Sequence, residues 1–308
     1  GTPWDVEASS TGPSGEVSVA VEAMDVRIRQ RMLDSADIGR PDFAPSHLLA
    51  QLNEAKHGNL PEITKNAGAI LLKAFSHQED QHALMIALTV AANFLPWNRW
   101  RFKEETLCSL VQLGADSRAI VALLLHDLDE CLGQPWHVVA KVFLQCAELG
   151  EEVVNLIGEK KRLEQLALLL YLRALSEDNA TCHGQERLAA SQLTRLLYLR
   201  GSKDYRAALV EIAEVEQMLR NLSSAVASRF GLPDEGRALA RCALDLHVPL
   251  AHGLGFDALA NSGSNERLTP SLENRALRLY FPEDYSMIEA WMSEEDELLN
   301  RTLQRCLR

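Results

Sequence analysis

The residues best suited to chemistry are an adjacent His126 and Asp127 that follow the apolar run Ala119–Leu125. An imidazole and a carboxylate side by side at a helix end can ligate the same divalent ion, and burial holds both rigid. Asp129 and Glu130 come directly after, and metal-assisted hydrolysis needs such a carboxylate beside the metal-bound water. By itself the dipeptide is a weak signal, because the pair arises by chance in many chains. His77, His82 or His137 could fill a gap in a ligand set, but each reads first as a surface or packed histidine. His247 and His252 flank Pro249 and read as hydrogen-bonded structural residues. Other chemistries find no footing: the chain has no Gly-x-Ser-x-Gly, no glycine-rich phosphate loop and no cysteine in a reactive setting.

The elements that must position these residues read as helices throughout. Apolar residues at Val17, Val21, Met24, Ile28 and Met32 paint one face of a first helix. Others are expected from Ser46, from Pro61, and over Gln81–Leu95, where near-continuous apolarity implies a central core helix. The segment PWNRWRFKEET after Pro96 reads as a short basic, aromatic loop whose side chains pack back on the bundle. Asp116 is a natural cap for a helix from Ser117 to about Cys131, followed by Trp136–Leu149 and by a pair of helical stretches within Gly150–Leu175 that turn near Gly158. Beyond a polar break, helices are expected over Glu186–Leu199, Asp204–Asn221 and Asp234–Leu246, the last broken by Pro249–Gly255. Residues 261–271 read as a surface loop, and Leu272–Tyr280 and Asp284–Arg308 as closing helices. The fold class expected is therefore all-α.

Composition sets the outer bounds. With 308 residues, 47% of them hydrophobic, the chain can bury a large core, and 6% aromatics amid abundant Leu and Ala favour helix over sheet. A net charge of −12 with no basic stripe argues against nucleic acid as a partner. No apolar run is long enough to span a membrane. Six scattered cysteines, Cys108, Cys131, Cys146, Cys182, Cys242 and Cys306, lack any C-x-x-C pair and read as reduced, small hydrophobes. Residues 1–15 read as a flexible arm carrying Trp4, within an N-terminal extension over 1–45.

Several separated segments, in order, resemble the hydrolase domain of RelA/SpoT homologues, an HD-type helical bundle. VALLLHDLDE (Val121–Glu130) is similar to that family's buried His-Asp helix, and GEEVVNLIGEKKRL (Gly150–Leu163) to the helix after it. GSKDYRAALVEIAEVEQMLRNL (Gly201–Leu222), LDLHVPLAHGLGF (Leu244–Phe256) and SLENRALRLYFPEDYSMI (Ser271–Ile288) resemble its later signatures. The resemblance implies a domain over 46–290, closed by a linker-like helix over 291–308. In the family such a domain removes pyrophosphate from the 3′ position of (p)ppGpp with a manganese ion held by two His and two Asp.

Here the resemblance carries over only in part. The first metal His falls near Ala87; His126 and Asp127 match the middle pair; the last Asp falls at Glu214. The pair that readies the water becomes Glu130 and Cys131, the family's basic nucleotide-binding arm is missing, and its later Asn is Met218. The resemblance thus leaves His126, Asp127 and Glu214 as vestigial metal ligands and Glu130 as a vestigial catalytic carboxylate. It implies a degenerate domain without a cofactor, resembling that of plastid calcium-activated homologues, with a regulatory or scaffolding role. Protein partners are then expected, either a larger assembly or a missing synthetase domain, together with a plastid or cytoplasmic location. The alternative is an active manganese-dependent hydrolase of the guanosine nucleotide with altered ligands.

Overall fold

The structure, a computed structural model, describes residues 45–56, 60–176, 204–226, 234–256, 268–288 and 290–291. The arm with Trp4, the Val17–Leu33 and Glu186–Leu199 helices, most of the 261–271 loop and the chain after residue 291 lie outside these residues. Among the described residues the fold is all-α, without a strand.

The bundle is organised around a short helix, α5 (Ser117–Leu125), in which every residue from Ala119 to Leu125 is completely buried. A sequence apolar on all sides has no solvent face and must be enclosed. The enclosing helices are α3 (Gln78–Phe94), α4 (Trp97–Gln112), α8 (Gly150–Ser176) and α9 (Tyr205–Val226). At its N-terminus Asp116 Oδ1 accepts the Ala119 N–H at 2.8 Å, the cap expected from sequence. α1 (Pro45–Ala55) and α2 (Lys65–Ala74) brace α3, and α7 (Trp136–Phe143), shorter than the expected Trp136–Leu149, packs on α1. α10 (Asp234–Cys242) packs on α8, and α12 (Leu268–Tyr280) packs on α9 and α10.

Several boundaries differ from the sequence expectation, each for a physical reason. PWNRWRFKEET is no loop: α4 begins at Trp97, directly after Pro96 in extended conformation. Trp100 and Lys103 lie on its inward face while Trp97 is exposed, so the mixed composition is amphipathicity. Gly158 makes no turn, since α8 runs unbroken through it, and the Trp136 indole nitrogen lies at ordinary contact distance, 3.7 Å from where a Cβ would be. Ser117–Cys131 is not one helix: α5 stops at Leu125 and α6 (Leu128–Leu132) starts anew. Gly133, at φ 61°, ends α6, its N–H and that of Gln134 closing on the Glu130 and Asp129 carbonyls. Pro249 does not break its segment either. A π-helical turn, Ala243–His247, leads into α11 (Val248–Gly253), where Pro249 stands in the first turn and needs no donor. The helix after residue 261 starts at Leu268, earlier than expected.

Candidate functional site

The break between α5 and α6 falls at His126 and Asp127, and both side chains are buried. Glu214 of α9, also buried, joins them, so three of the four candidate residues meet at one place. His126 Nε2 lies 3.0 Å from Asp127 Oδ1, 3.4 Å from Glu214 Oε2 and 3.4 Å from Glu164 Oε1 of α8. Glu130 does not join: its carboxylate pairs with Arg99 of α4 at 3.3 Å. His77, His82 and His137 are all exposed and supply nothing to the centre.

Two lysines complete the centre. Lys103 of α4 and Lys160 of α8 have no exposed surface, a rare condition for lysine that demands paired charges. Lys103 Nζ lies 2.7 Å from Glu214 Oε1 and 2.8 Å from Asp127 Oδ2. Lys160 Nζ lies 2.6 Å from Glu214 Oε2 and 3.0 Å from Glu211 Oε2, and also pairs with Glu164. His247 extends the network outward, its Nε2 3.4 Å from Glu211 Oε1, in keeping with a structural histidine. Ala87 is buried in α3 and offers no donor atom; from α4 it is Lys103 that reaches His126.

The contacts of His126 bear on its protonation. Nδ1 lies 3.0 Å from the Leu123 carbonyl, which can only accept, so Nδ1 carries a proton. Nε2 faces the Asp127 carboxylate, another acceptor. Lys103 Nζ is almost equidistant from the two ring nitrogens, at 3.1 and 3.0 Å. The imidazolium form of His126 is favoured. Burial opposes its charge, but Asp127 and Glu214 outweigh burial and raise its pKa to about 9. Burial likewise disfavours the Glu214 anion, yet His126, Lys103 and Lys160 hold its pKa well below the usual carboxylate range.

This arrangement bears directly on a metal. His126, Glu164 and Glu214 each offer one donor atom, all within 4.8 Å of one another, a spacing compatible with a single ion. The charges present do not fit one. A metal-bound imidazole needs an unprotonated nitrogen, whereas Asp127 and Glu214 raise the pKa of His126 to about 9, and two ammonium groups already pair with the carboxylates. As built, the centre is a closed ion-pair network that ties α4, α5, α8 and α9 together.

The sequence reading missed Lys103, Lys160, Glu164 and Glu211. The lysines were detectable: Trp100, Lys103, Leu107 and Leu110 follow one inward stripe of α4, and Val153, Leu156, Lys160 and Leu163 one stripe of α8. A lysine on an apolar stripe is a buried charge in search of a partner.

The fold and the His-Asp junction define the class. Residues 104–257, half of the chain, match the HD domain family, and the chain belongs to it. Within that family its distant homology is to the RelA/SpoT type. It is 23% identical over 199 residues to the guanosine-3′,5′-bis(diphosphate) 3′-pyrophosphohydrolase of Haemophilus influenzae, covering 63% of this chain and 24% of that protein. It is 22% identical over 182 residues to the bifunctional (p)ppGpp synthase/hydrolase SpoT of Escherichia coli, covering 59% of this chain and 21% of that protein. The matched region is thus a quarter or less of the length of these relatives. Among the described residues no helix is long and apolar enough to cross a membrane.

Proposed function

We propose that this chain is a degenerate RelA/SpoT-type HD domain that keeps the bundle without the hydrolytic chemistry and serves as a regulatory or scaffolding unit in a larger assembly. The observation that carries this reading is Lys103, whose buried ammonium pairs with Glu214 and Asp127 at 2.7 and 2.8 Å and touches the His126 ring. A hydrolase of this class needs a cation that can bind and acidify water. An ammonium compensates the same carboxylates but has no coordination position to offer. Glu130 and Asp129, the candidates for activating water, are engaged by Arg99 and Lys161.

A role through contacts is supported by apolar side chains left in solvent near the end of the described chain: Phe281, Met287, Ile288 and Trp291 are all exposed. Clusters of this kind are commonly covered by partners. The competing reading, a manganese-dependent (p)ppGpp 3′-pyrophosphohydrolase with altered ligands, draws on the spacing of the His126, Glu164 and Glu214 donors.

The discriminating experiment is incubation of the chain with ppGpp and Mn²⁺, with products separated by anion exchange. Pyrophosphate release at the level of the protein-free control is the expected result. Turnover that disappears in His126→Ala establishes the competing reading instead.

A further inference from the structure

Resting on the reading of this chain as a unit that acts through contacts, we infer that one partner is a second copy of itself: the helix that begins at Pro282 pairs antiparallel with the same helix of another chain.

This helix presents its apolar side to solvent. Residues 282–288, 290 and 291 are helical. Tyr285 fastens the first turn to α12, where Arg278 lies 5.1 Å from its ring centre and Asn274 Oδ1 lies 3.5 Å from its hydroxyl. Beyond that turn Met287, Ile288 and Trp291 are 65%, 52% and 59% exposed. Residues three and four apart share a helix face, so these three form one apolar stripe open to water. Such a stripe on a helix that leads away from its bundle is suited to a second helix.

Charge identifies that second helix. The sequence predicts that the helix continues to Arg308. From Glu283 to Glu297 the chain carries seven carboxylates and no basic residue; from Leu298 to Arg308 it carries Arg301, Arg305 and Arg308 and no carboxylate. A parallel pair sets the acidic half against its own copy, where like charges repel, whereas an antiparallel pair sets it against the arginines. Glu294, Arg301 and Arg308 recur at seven-residue intervals and so share one edge of the helix, beside the stripe of Ile288, Trp291 and Leu298. Antiparallel pairing brings like edges together. With Glu294 opposite Arg301 of the partner subunit, Ile288 falls opposite Leu307 of the partner subunit, so the contact covers the whole stripe over about 30 Å of helix. Two-fold symmetry forms the Glu294–Arg301 pair twice. Glu295 interrupts the apolar stripe, which weakens the pair and makes it dissociate on dilution.

The test is sedimentation equilibrium of the full chain over a dilution series. The expected result is a species of twice the 34.2 kDa chain mass that dissociates on dilution and weakens with added salt. Ile288→Glu with Trp291→Glu, both at exposed positions, should keep helical content and thermal midpoint and shift the chain to monomer. Glu294→Lys and Arg301→Glu should each weaken self-association about tenfold, and the two variants mixed should pair again, because each then meets opposite charge. In a parallel pair Glu294→Lys relieves repulsion, so tighter association of that variant overturns the inference. A monomer at every concentration, a dimer that survives Ile288→Glu with Trp291→Glu, or charge variants that associate as the parent does also overturns it. None of these results bears on the loss of hydrolysis, which the ppGpp incubation decides separately.

Discussion

Replacing Lys103 by methionine tests the energetics of the buried centre. Methionine keeps most of the side-chain volume and removes the charge. In the intact network Lys103, Lys160 and the His126 imidazolium face the carboxylates of Asp127, Glu164, Glu211 and Glu214. Lys103→Met leaves two cations against the same four anions, and withdraws the contacts at 2.7 and 2.8 Å to Glu214 and Asp127. Removing one partner of a buried pair costs about 3–5 kcal/mol, because the other charge stays desolvated without compensation. In a domain of this size that corresponds to a fall in thermal midpoint of about 6–20 °C. Glu214→Gln in the same background removes the orphaned charge, so the double variant should recover part of the loss. A coupling energy of about 1–3 kcal/mol is expected from the cycle. Urea denaturation followed by circular dichroism measures all four species. A loss below about 1 kcal/mol in Lys103→Met, the value for an exposed pair, refutes the assignment of Lys103 to a buried charge centre.

Two further outcomes follow from the same structure. Because the pKa of His126 is raised to about 9, its stabilisation is fully present below the unfolded value near 6.5 and is lost as pH rises through about 9. The difference is about 3 kcal/mol, so the denaturation midpoint should fall between pH 7 and 9.5 in the unsubstituted chain and far less in His126→Gln; equal profiles would show that the ring is already neutral. On α4, Trp97 is exposed and Trp100 is buried. Trp97→Ala should therefore stay within about 0.5 kcal/mol of the parent while Trp100→Ala loses about 3–5 kcal/mol, and similar losses at both positions would contradict the helical assignment of this segment.

The all-α class and most helices were legible because their apolar spacing is strong, as over α3 and α5. Asp116 could be read as a cap since its role is local to four residues. The errors share one cause: punctuation by residue type was overridden by tertiary packing. Glycine is a poor helix former, which predicts a turn at Gly158, yet the packed helix α8 runs on through it. The basic, aromatic composition at the start of α4 predicts a loop until its polar and buried faces are separated, with Trp97 outside and Trp100 and Lys103 inside. His126, Asp127 and Glu214 were identifiable through resemblance to a known domain. Lys103 and Lys160 were not, because that resemblance directed attention to missing ligands instead of added cations. The convergence of four helices on one charge cluster is long-range information that only the fold supplies.

The central claim is that the lysines, with protonated His126, hold the place that a metal would need. Calorimetric titration of the unsubstituted chain with Mn²⁺ and with Zn²⁺ at neutral pH addresses it most directly. No saturable heat at one ion per chain is the result expected, identical in His126→Ala. A one-to-one isotherm abolished by His126→Ala would show that the ammonium groups yield to an ion and that the centre is an open metal site.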